Sequence, residues 1–142
     1  MNAGLSVSYL WHDSDVLEIR VIAESADFRG TAAVYVGTGD LHEAATTLSG
    51  FPKHQLDKRE ITFGAFGKHS AGGAVNLRFH CRDLAGHVTC TAMIESAYGD
   101  REVAGSATVC FDFDPASLDE FLLQLQTVEA AHQGSAFMAM RP

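Results

Sequence analysis

Basic and imidazole side chains alternate with apolar residues in the most regular strand pattern of the chain. Arg78, His80 and Arg82 occupy every second position, and His87 opens the next alternating segment. Because alternate side chains of a strand share one face, we expect these groups on one surface, with Asp112 beside His87 from the following strand. An arginine, a histidine and a carboxylate in one row can hold an anion or transfer a proton. Exposed antiparallel faces also carry polar pairs for structural reasons alone, so the five residues are a candidate ligand-binding site and no more.

Other reactive side chains form no recognisable catalytic or metal-binding pattern. The seven histidines are scattered along the chain. Only His80 and His87 are expected near each other, whereas a zinc site needs three or four ligands. Ser70 lies beside His69 in a Gly-rich loop, but neither GxSxG nor GK[ST] is present. The sequence therefore predicts no catalytic residue, no metal site and no cofactor.

Length, composition and charge narrow the classes of partner. The 142 residues suit one domain with its own core, and the formal charge of −8 argues against nucleic acid. No apolar run approaches the ~18–20 residues of a membrane span, so we expect no membrane partner. The first ten residues do not resemble a secretory signal, and three cysteines without a CxxC pair suit a reducing compartment. The expected localisation is cytoplasmic.

The candidate residues are positioned by strands that have one apolar and one polar face. Alternation predicts strands at 5–11, 16–22, 30–36, 60–66, 75–82, 87–95 and 102–113. In the N-terminal hairpin, the apolar faces coincide when Leu17 lies opposite Val34 and Ile19 opposite Ala32.

The central hairpin holds the candidate site. A turn at Leu84-Ala85 places Phe79 opposite Cys90 on the apolar face. The same turn places Arg78 opposite Thr91 on the polar face. A slip by one residue would exchange the two faces, which favours this register.

Two segments have helical periodicity. The first begins at Asp40, which forms a capping-box pattern with Glu43, and it ends before Gly50. The second begins with Asp114-Pro115, an N-cap followed by proline at the first helical position, and runs to about Ala131.

These elements predict an α+β fold. Short turns favour an antiparallel β-meander sheet of about six strands, with the short mid-chain helix and the longer C-terminal helix packed on one face. We expect residues 1–131 to form a single domain and residues 132–142 to form a C-terminal tail. The tail residues Phe137, Met138 and Met140 could dock on the domain or on another chain, or stay disordered.

The order of these segments resembles that of small bacterial α+β domains of unknown function that pair a β-meander with a C-terminal helix. The resemblance is carried by residues 28–36, by Asp40-Leu41 and by residues 114–125. It extends to some immunity proteins of bacterial toxin systems, which are often small, acidic and built on sheets. The resemblance implies a non-enzymatic binding protein, but no residue role can be transferred from it.

Two functions are compatible with the sequence. The first is a non-enzymatic protein-interaction domain, binding a partner protein or a second copy of itself through the open sheet face. The second is a small anionic-ligand binder or enzyme that uses Arg78, His80, Arg82 and His87. The open face is expected to mix polar groups with the larger side chains of Tyr35, Phe66, Met93 and Cys110, which suits an interface. Trp11 and Tyr35 belong either to the core or to a surface patch.

Overall fold

Most strands follow segments in which apolar and polar residues alternate, and two segments with helical periodicity interrupt them. In a computed structural model, which describes residues 3–142, the strands and helices follow one another in a simple order. They are β1 (Gly4–His12), β2 (Val16–Glu24), β3 (Arg29–Gly37), α1 (Asp40–Leu48), β4 (Lys58–Gly64), β5 (Ala74–Cys81), β6 (Val88–Glu95), β7 (Ser106–Phe113), α2 (Pro115–Ala131) and β8 (Ser135–Ala139).

The strands form two four-stranded antiparallel sheets. Sheet A has the order β3-β2-β1-β8, and sheet B has the order β4-β5-β6-β7. The α+β class, the antiparallel pairing and the two helices confirm the prediction, but the single sheet of about six strands is wrong. Connections of three to ten residues, too short for a crossover, favour antiparallel pairing within β1–β3 and within β4–β7. The long connection through α1 imposes none, and after it the chain begins a second sheet.

The register of the central hairpin is confirmed, whereas that of the N-terminal hairpin is shifted. Phe79 pairs with Cys90, as expected. Leu17 pairs with Val36 and Ile19 with Val34, so the predicted partners were wrong by two residues. A shift of two keeps every side chain on its face, so the apolar pattern alone could not detect it.

β3 connects the two sheets by lying across the strand ends of sheet B. It contacts all four strands β4 to β7. The Gly73 N–H donates a hydrogen bond to the Ala33 carbonyl oxygen over 2.9 Å. A Cβ atom on Gly73 would lie 2.5 Å from the Glu95 carbonyl oxygen and 3.0 Å from the Ala32 Cβ. The last glycine of the Gly-rich loop therefore allows two backbones to approach closely.

The helices do not share one face of one sheet. α1 contacts β3 and β4, one strand from each sheet, and α2 contacts α1, β1 and β8. The described residues contain no helix that is both long and apolar enough to cross a membrane.

The start of α1 is capped by the other helix. Glu129 of α2 accepts hydrogen bonds through Oε1 from the N–H groups of Gly39 (3.0 Å) and Leu41 (3.1 Å). The expected capping box is wrong, because Asp40 accepts from the Gly37 N–H instead, over 2.6 Å. A carboxylate at a helix N-terminus satisfies free N–H groups and favours the helix dipole. This contact therefore fixes α1 against α2.

The buried residues form one cluster that both sheets and both helices share. Each sheet contributes one face, and the helices contribute one side each. Fully buried large side chains come from every layer: Leu5 and Ile19 from sheet A, Leu77 and Phe79 from sheet B, Leu41 and Leu48 from α1, and Leu118, Phe121 and Leu125 from α2. The other face of each sheet is its outer face.

The end of the chain forms a strand. The sequence predicts a C-terminal tail at residues 132–142 and leaves its docking open; in the structure, Ser135–Ala139 form β8 and pair with β1. Ala136 and Met138 are both 0% exposed. At five residues, β8 is too short for a clear alternating pattern in the sequence, and Ala136 and Met138 are buried because β1 offers a free edge.

Replacing Met138 with alanine tests the contribution of β8. Removal of a fully buried side chain should lower the free energy of unfolding by about 2–5 kcal/mol, measured by urea denaturation. Met93→Ala is the matched control, because Met93 is 40% exposed and its loss should cost less than about 1 kcal/mol. Equal losses in both variants would contradict the docking of β8.

The close approach at Gly73 can be tested in the same way. Gly73→Ala should lower the free energy of unfolding by about 1–3 kcal/mol, because the added methyl group meets a carbonyl oxygen. In the control variant Gly105→Ala, the nearest neighbour of the new Cβ is the Ser96 hydroxyl at 3.3 Å. The control should be less destabilised, and the reverse order would refute the steric argument.

Candidate functional site

The outer face of sheet B is a grid of mostly polar side chains in four rows. Register places each row across β4, β5, β6 and β7 in turn. The first row is Lys58, His80, Thr89 and Asp112, the second is Glu60, Arg78, Thr91 and Cys110, the third is Thr62, Asn76, Met93 and Thr108, and the fourth is Gly64, Ala74, Glu95 and Ser106. Directly opposed residues of an antiparallel pair project to the same side, so each row can act as a unit.

The second and third rows share the Glu60 carboxylate, which Arg78 and Asn76 hold. Glu60 lies 3.3 Å from the Arg78 Nε and accepts a 2.7 Å hydrogen bond from the Asn76 amide. Asn76 also donates to the Thr62 hydroxyl over 3.0 Å. Hydrogen bonds from Asn76 and then Arg78 lower the pKa of the Glu60 carboxyl below its ordinary value.

The first row has its own organised carboxylate. Asp112 accepts a 2.7 Å hydrogen bond from the Thr89 hydroxyl, and its other oxygen lies 3.1 Å from the Arg82 guanidinium. Arg82 follows β5, and its N–H donates to the His87 carbonyl oxygen over 2.8 Å. The guanidinium therefore reaches across the hairpin to the neighbouring strand β7.

Four of the five candidate residues lie along this face, and the fifth has a different partner. Arg78 and His80 project from β5, and Arg82 is joined to Asp112. His87 lies in the turn before β6, where its Nδ1 is 2.7 Å from the Asp83 carboxylate. The expected neighbour of Asp112 was His87, but its partners are Arg82 and Thr89. The His87 hydrogen bond lowers the pKa of the Asp83 carboxyl.

A shallow depression opens beside β4 and β5. It has a volume of about 510 Å³ and is lined by Lys58, Arg78, His80 and Thr91, among others. No ion pair within 4.0 Å joins Lys58 or His80 to a carboxylate in the described part of the chain. These two side chains are the available cationic or proton-binding groups of the face.

Sequence reasoning missed the contribution of β4. Lys58 and Glu60 were assigned to a loop and to the start of a strand, without a neighbour on the polar face. Their spacing of two with Thr62 carries the same alternation as β5. Only the pairing of β4 with β5 shows that Glu60 lies opposite Arg78 and forms an ion pair with it.

The three cysteines differ in exposure according to the face of the sheet on which each lies. All three are free thiols; Cys90 is buried, Cys81 is partly buried and Cys110 is exposed. Burial raises the pKa of the Cys90 thiol strongly, and burial with nearby carboxylates raises that of Cys81. Cys110 lies in the second row, with its sulfur 3.4 Å from the Thr91 hydroxyl.

Within residues 3–142, no group of three or more His, Cys, Asp or Glu side chains is arranged to hold a metal ion.

Comparison of the chain with protein-family models, curated proteins and solved structures finds no match. The function of this face must therefore be inferred from its own side chains. They provide a hydrogen-bonded surface with two internal ion pairs and two shallow depressions, one beside Lys58 and His80 and one beside Met93.

The arrangement around Glu60 predicts a specific pH dependence. Its folded-state pKa lies below the unfolded value, so the carboxylate stabilises the fold above its ordinary pKa of 4.5. This contribution is lost as the pH falls through the folded-state pKa. In a ¹³C NMR titration of the side-chain carboxyl, Asn76→Ala should raise the Glu60 pKa, whereas Thr108→Ala at the far end of the same row should not. An unchanged pKa in Asn76→Ala would show that the amide does not hold the carboxylate.

Proposed function

We propose that the chain is a non-enzymatic protein-interaction domain that associates with a second copy of itself through the outer face of sheet B. The observation that carries the proposal is the charge balance of this face within an acidic protein. The pattern resemblance to toxin-immunity proteins also favours a protein partner over a substrate.

The face carries three cations, Lys58, Arg78 and Arg82, and three carboxylates, Glu60, Asp112 and Glu95. The whole chain has a formal charge of −8. A net charge of this size makes two copies repel each other, and a face without an excess of negative charge adds least to that repulsion. A two-fold axis perpendicular to the face can set the cations of one copy against the carboxylates of the other.

Exposed apolar groups lie at one end of the grid. Met93 is 40% exposed in the third row, and Phe66, in the loop after β4, is 42% exposed. Both border the same surface depression near the end of β6. Methionine and aromatic side chains are enriched at the cores of protein interfaces.

The dimensions of the face predict a weak dimer. Four strands about 4.8 Å apart and seven residues at about 3.4 Å each give a footprint of roughly 19 by 24 Å. Two such footprints bury on the order of 1,000 Å², which is the lower limit for a specific interface. We therefore expect a dissociation constant in the micromolar range.

The organised carboxylates favour recognition over proton transfer. Glu60 is held by Asn76 and Arg78, which keep its pKa low, whereas a general acid or base at neutral pH needs a raised one. Fixed ion pairs instead present a defined pattern of charge to a partner.

The depression beside Lys58 and His80 supports a second candidate function, the binding of a small anion. Lys58, His80 and Arg78 border it, and the three could contact a phosphate or carboxylate together. In this case the cations of the face bind a small anion and do not contact a second copy of the chain.

Sedimentation equilibrium tests the dimer. Between about 1 and 500 μM, the mass should rise from 15.3 kDa towards twice that value. Met93→Glu should keep the chain monomeric by placing a charge in the interface. Leu123→Glu is the matched control, because Leu123 is 66% exposed on α2 and its replacement should leave dimerisation unchanged. A constant monomer mass over this range would refute self-association.

Cys110 supplies a local readout of the same interface. Its labelling rate by a maleimide should fall as protein concentration rises, and Met93→Glu should abolish this dependence.

Titration with inorganic phosphate tests the alternative function, the binding of a small anion. If it shifts the His80 ring resonances saturably and leaves the mass unchanged, the anion site is supported instead. A flat response to phosphate would exclude phosphate binding at this depression.

A further inference from the structure

A β-bulge in β1 turns the only tryptophan of the chain outward. The register between β1 and β2 shifts between Tyr9 and Trp11, so Tyr9 pairs with Ile19 and Trp11 pairs with Glu18. Without the extra residue, Trp11 would oppose Leu17 and face the core. Bulges commonly re-aim a side chain at a functional surface. Here the result is a tryptophan that is 47% exposed.

Trp11, Glu18 and Tyr35 form one row across the outer face of sheet A. Trp11 pairs with Glu18, and Glu18 pairs with Tyr35 on the next strand. Tyr35 is 40% exposed, and Glu18 is partly buried between the two aromatic residues. This row lies on the sheet opposite to the proposed dimer face.

The Tyr35 ring is held in place by the loop before β5. A Cβ atom on Gly72 would lie 2.8 Å from the Tyr35 Cδ2 and 3.2 Å from its Cε2. The ring therefore packs directly on the backbone of Gly72. A ring fixed in this way needs little ordering when a ligand arrives.

The spacing of the row fits a cation. Strands lie about 4.8 Å apart, so the two aromatic side chains are separated by roughly 10 Å with the carboxylate between them. A cation above Glu18 would then lie within the ~6 Å of each ring at which cation–π attraction is significant. Within residues 3–142, no ion pair or hydrogen bond engages the Glu18 carboxylate. Arg20, two residues along the same face, is the nearest cation in the sequence of β2 and is not within ion-pair distance of it.

We propose that Trp11, Glu18 and Tyr35 bind a single arginine or lysine side chain of a basic partner polypeptide. The two rings and the carboxylate supply complementary charge on a surface that is exposed and ordered. The net charge of −8 attracts a basic partner over a longer range. The site does not depend on self-association, because it lies on the other sheet.

The intrinsic fluorescence of Trp11 gives a direct test, since the chain has one tryptophan. Titration with N-acetyl-arginine amide or N-acetyl-lysine amide should give a saturable change, with a dissociation constant of roughly a few millimolar for an isolated side chain. N-acetyl-citrulline amide, which has nearly the same shape as the arginine probe but no charge, should give none. The indole N–H resonance of Trp11 should follow the same curve.

Variants assign the effect to the row. Glu18→Gln should weaken binding of the arginine probe by about tenfold, and Tyr35→Leu by about threefold or more. Glu120→Gln, an exposed glutamate on α2, is the matched control and should bind as the unmodified chain does. Met93→Glu should also leave binding intact, which separates this site from the dimer face.

Three results would overturn the proposal. The first is the absence of a saturable response in both fluorescence and the indole resonance with either cationic probe. The second is an equal response to the citrulline probe. The third is an unchanged affinity in Glu18→Gln.

Discussion

The close backbone contact between β3 and the ends of sheet B determines the shape of this protein. Two sheets that share one core can be arranged in many ways, but here Gly73 donates to the Ala33 carbonyl oxygen. That hydrogen bond requires a residue without a side chain, because Glu95 and Ala32 occupy the space that a Cβ would need. With β3 held in this position, both sheets turn one face inward, and their outer faces remain uncovered by the helices.

The two outer faces consequently differ in their chemistry. On sheet B, the carboxylates Glu60 and Asp112 are each held by an arginine and a neutral donor, so the surface presents balanced charge. On sheet A, Glu18 lies between Trp11 and Tyr35 without such a partner among the described residues. A face with balanced charge can pair with the same face of a second copy. An unpaired carboxylate between two aromatic rings can instead bind a cation. One acidic chain can therefore support two kinds of contact.

Local patterns predicted the elements better than their assembly. The bounds of α1 and α2, the alternation of β5 and the register of the central hairpin were all correct, because each depends on neighbours in sequence. The division into two sheets was missed, because the α1 connection leaves pairing free. The Glu129 cap of α1 was missed for a similar reason, since its partners are about 90 residues apart in sequence. The candidate site was placed in part: the strand residues were identified, but Glu60, Lys58 and the partners of Asp112 were not.

The sequence by itself determined which side chains share a face, since the two-residue period of a strand and the 3.6-residue period of a helix follow from backbone geometry. It also determined the turn of the central hairpin, but not the long connection before β7, where residues 102–105 were predicted as strand. Only the tertiary structure decided which faces meet, that β8 closes against β1, and that a bulge sends Trp11 outward. Those outcomes depend on contacts between residues far apart in sequence, whose free energies no local pattern contains.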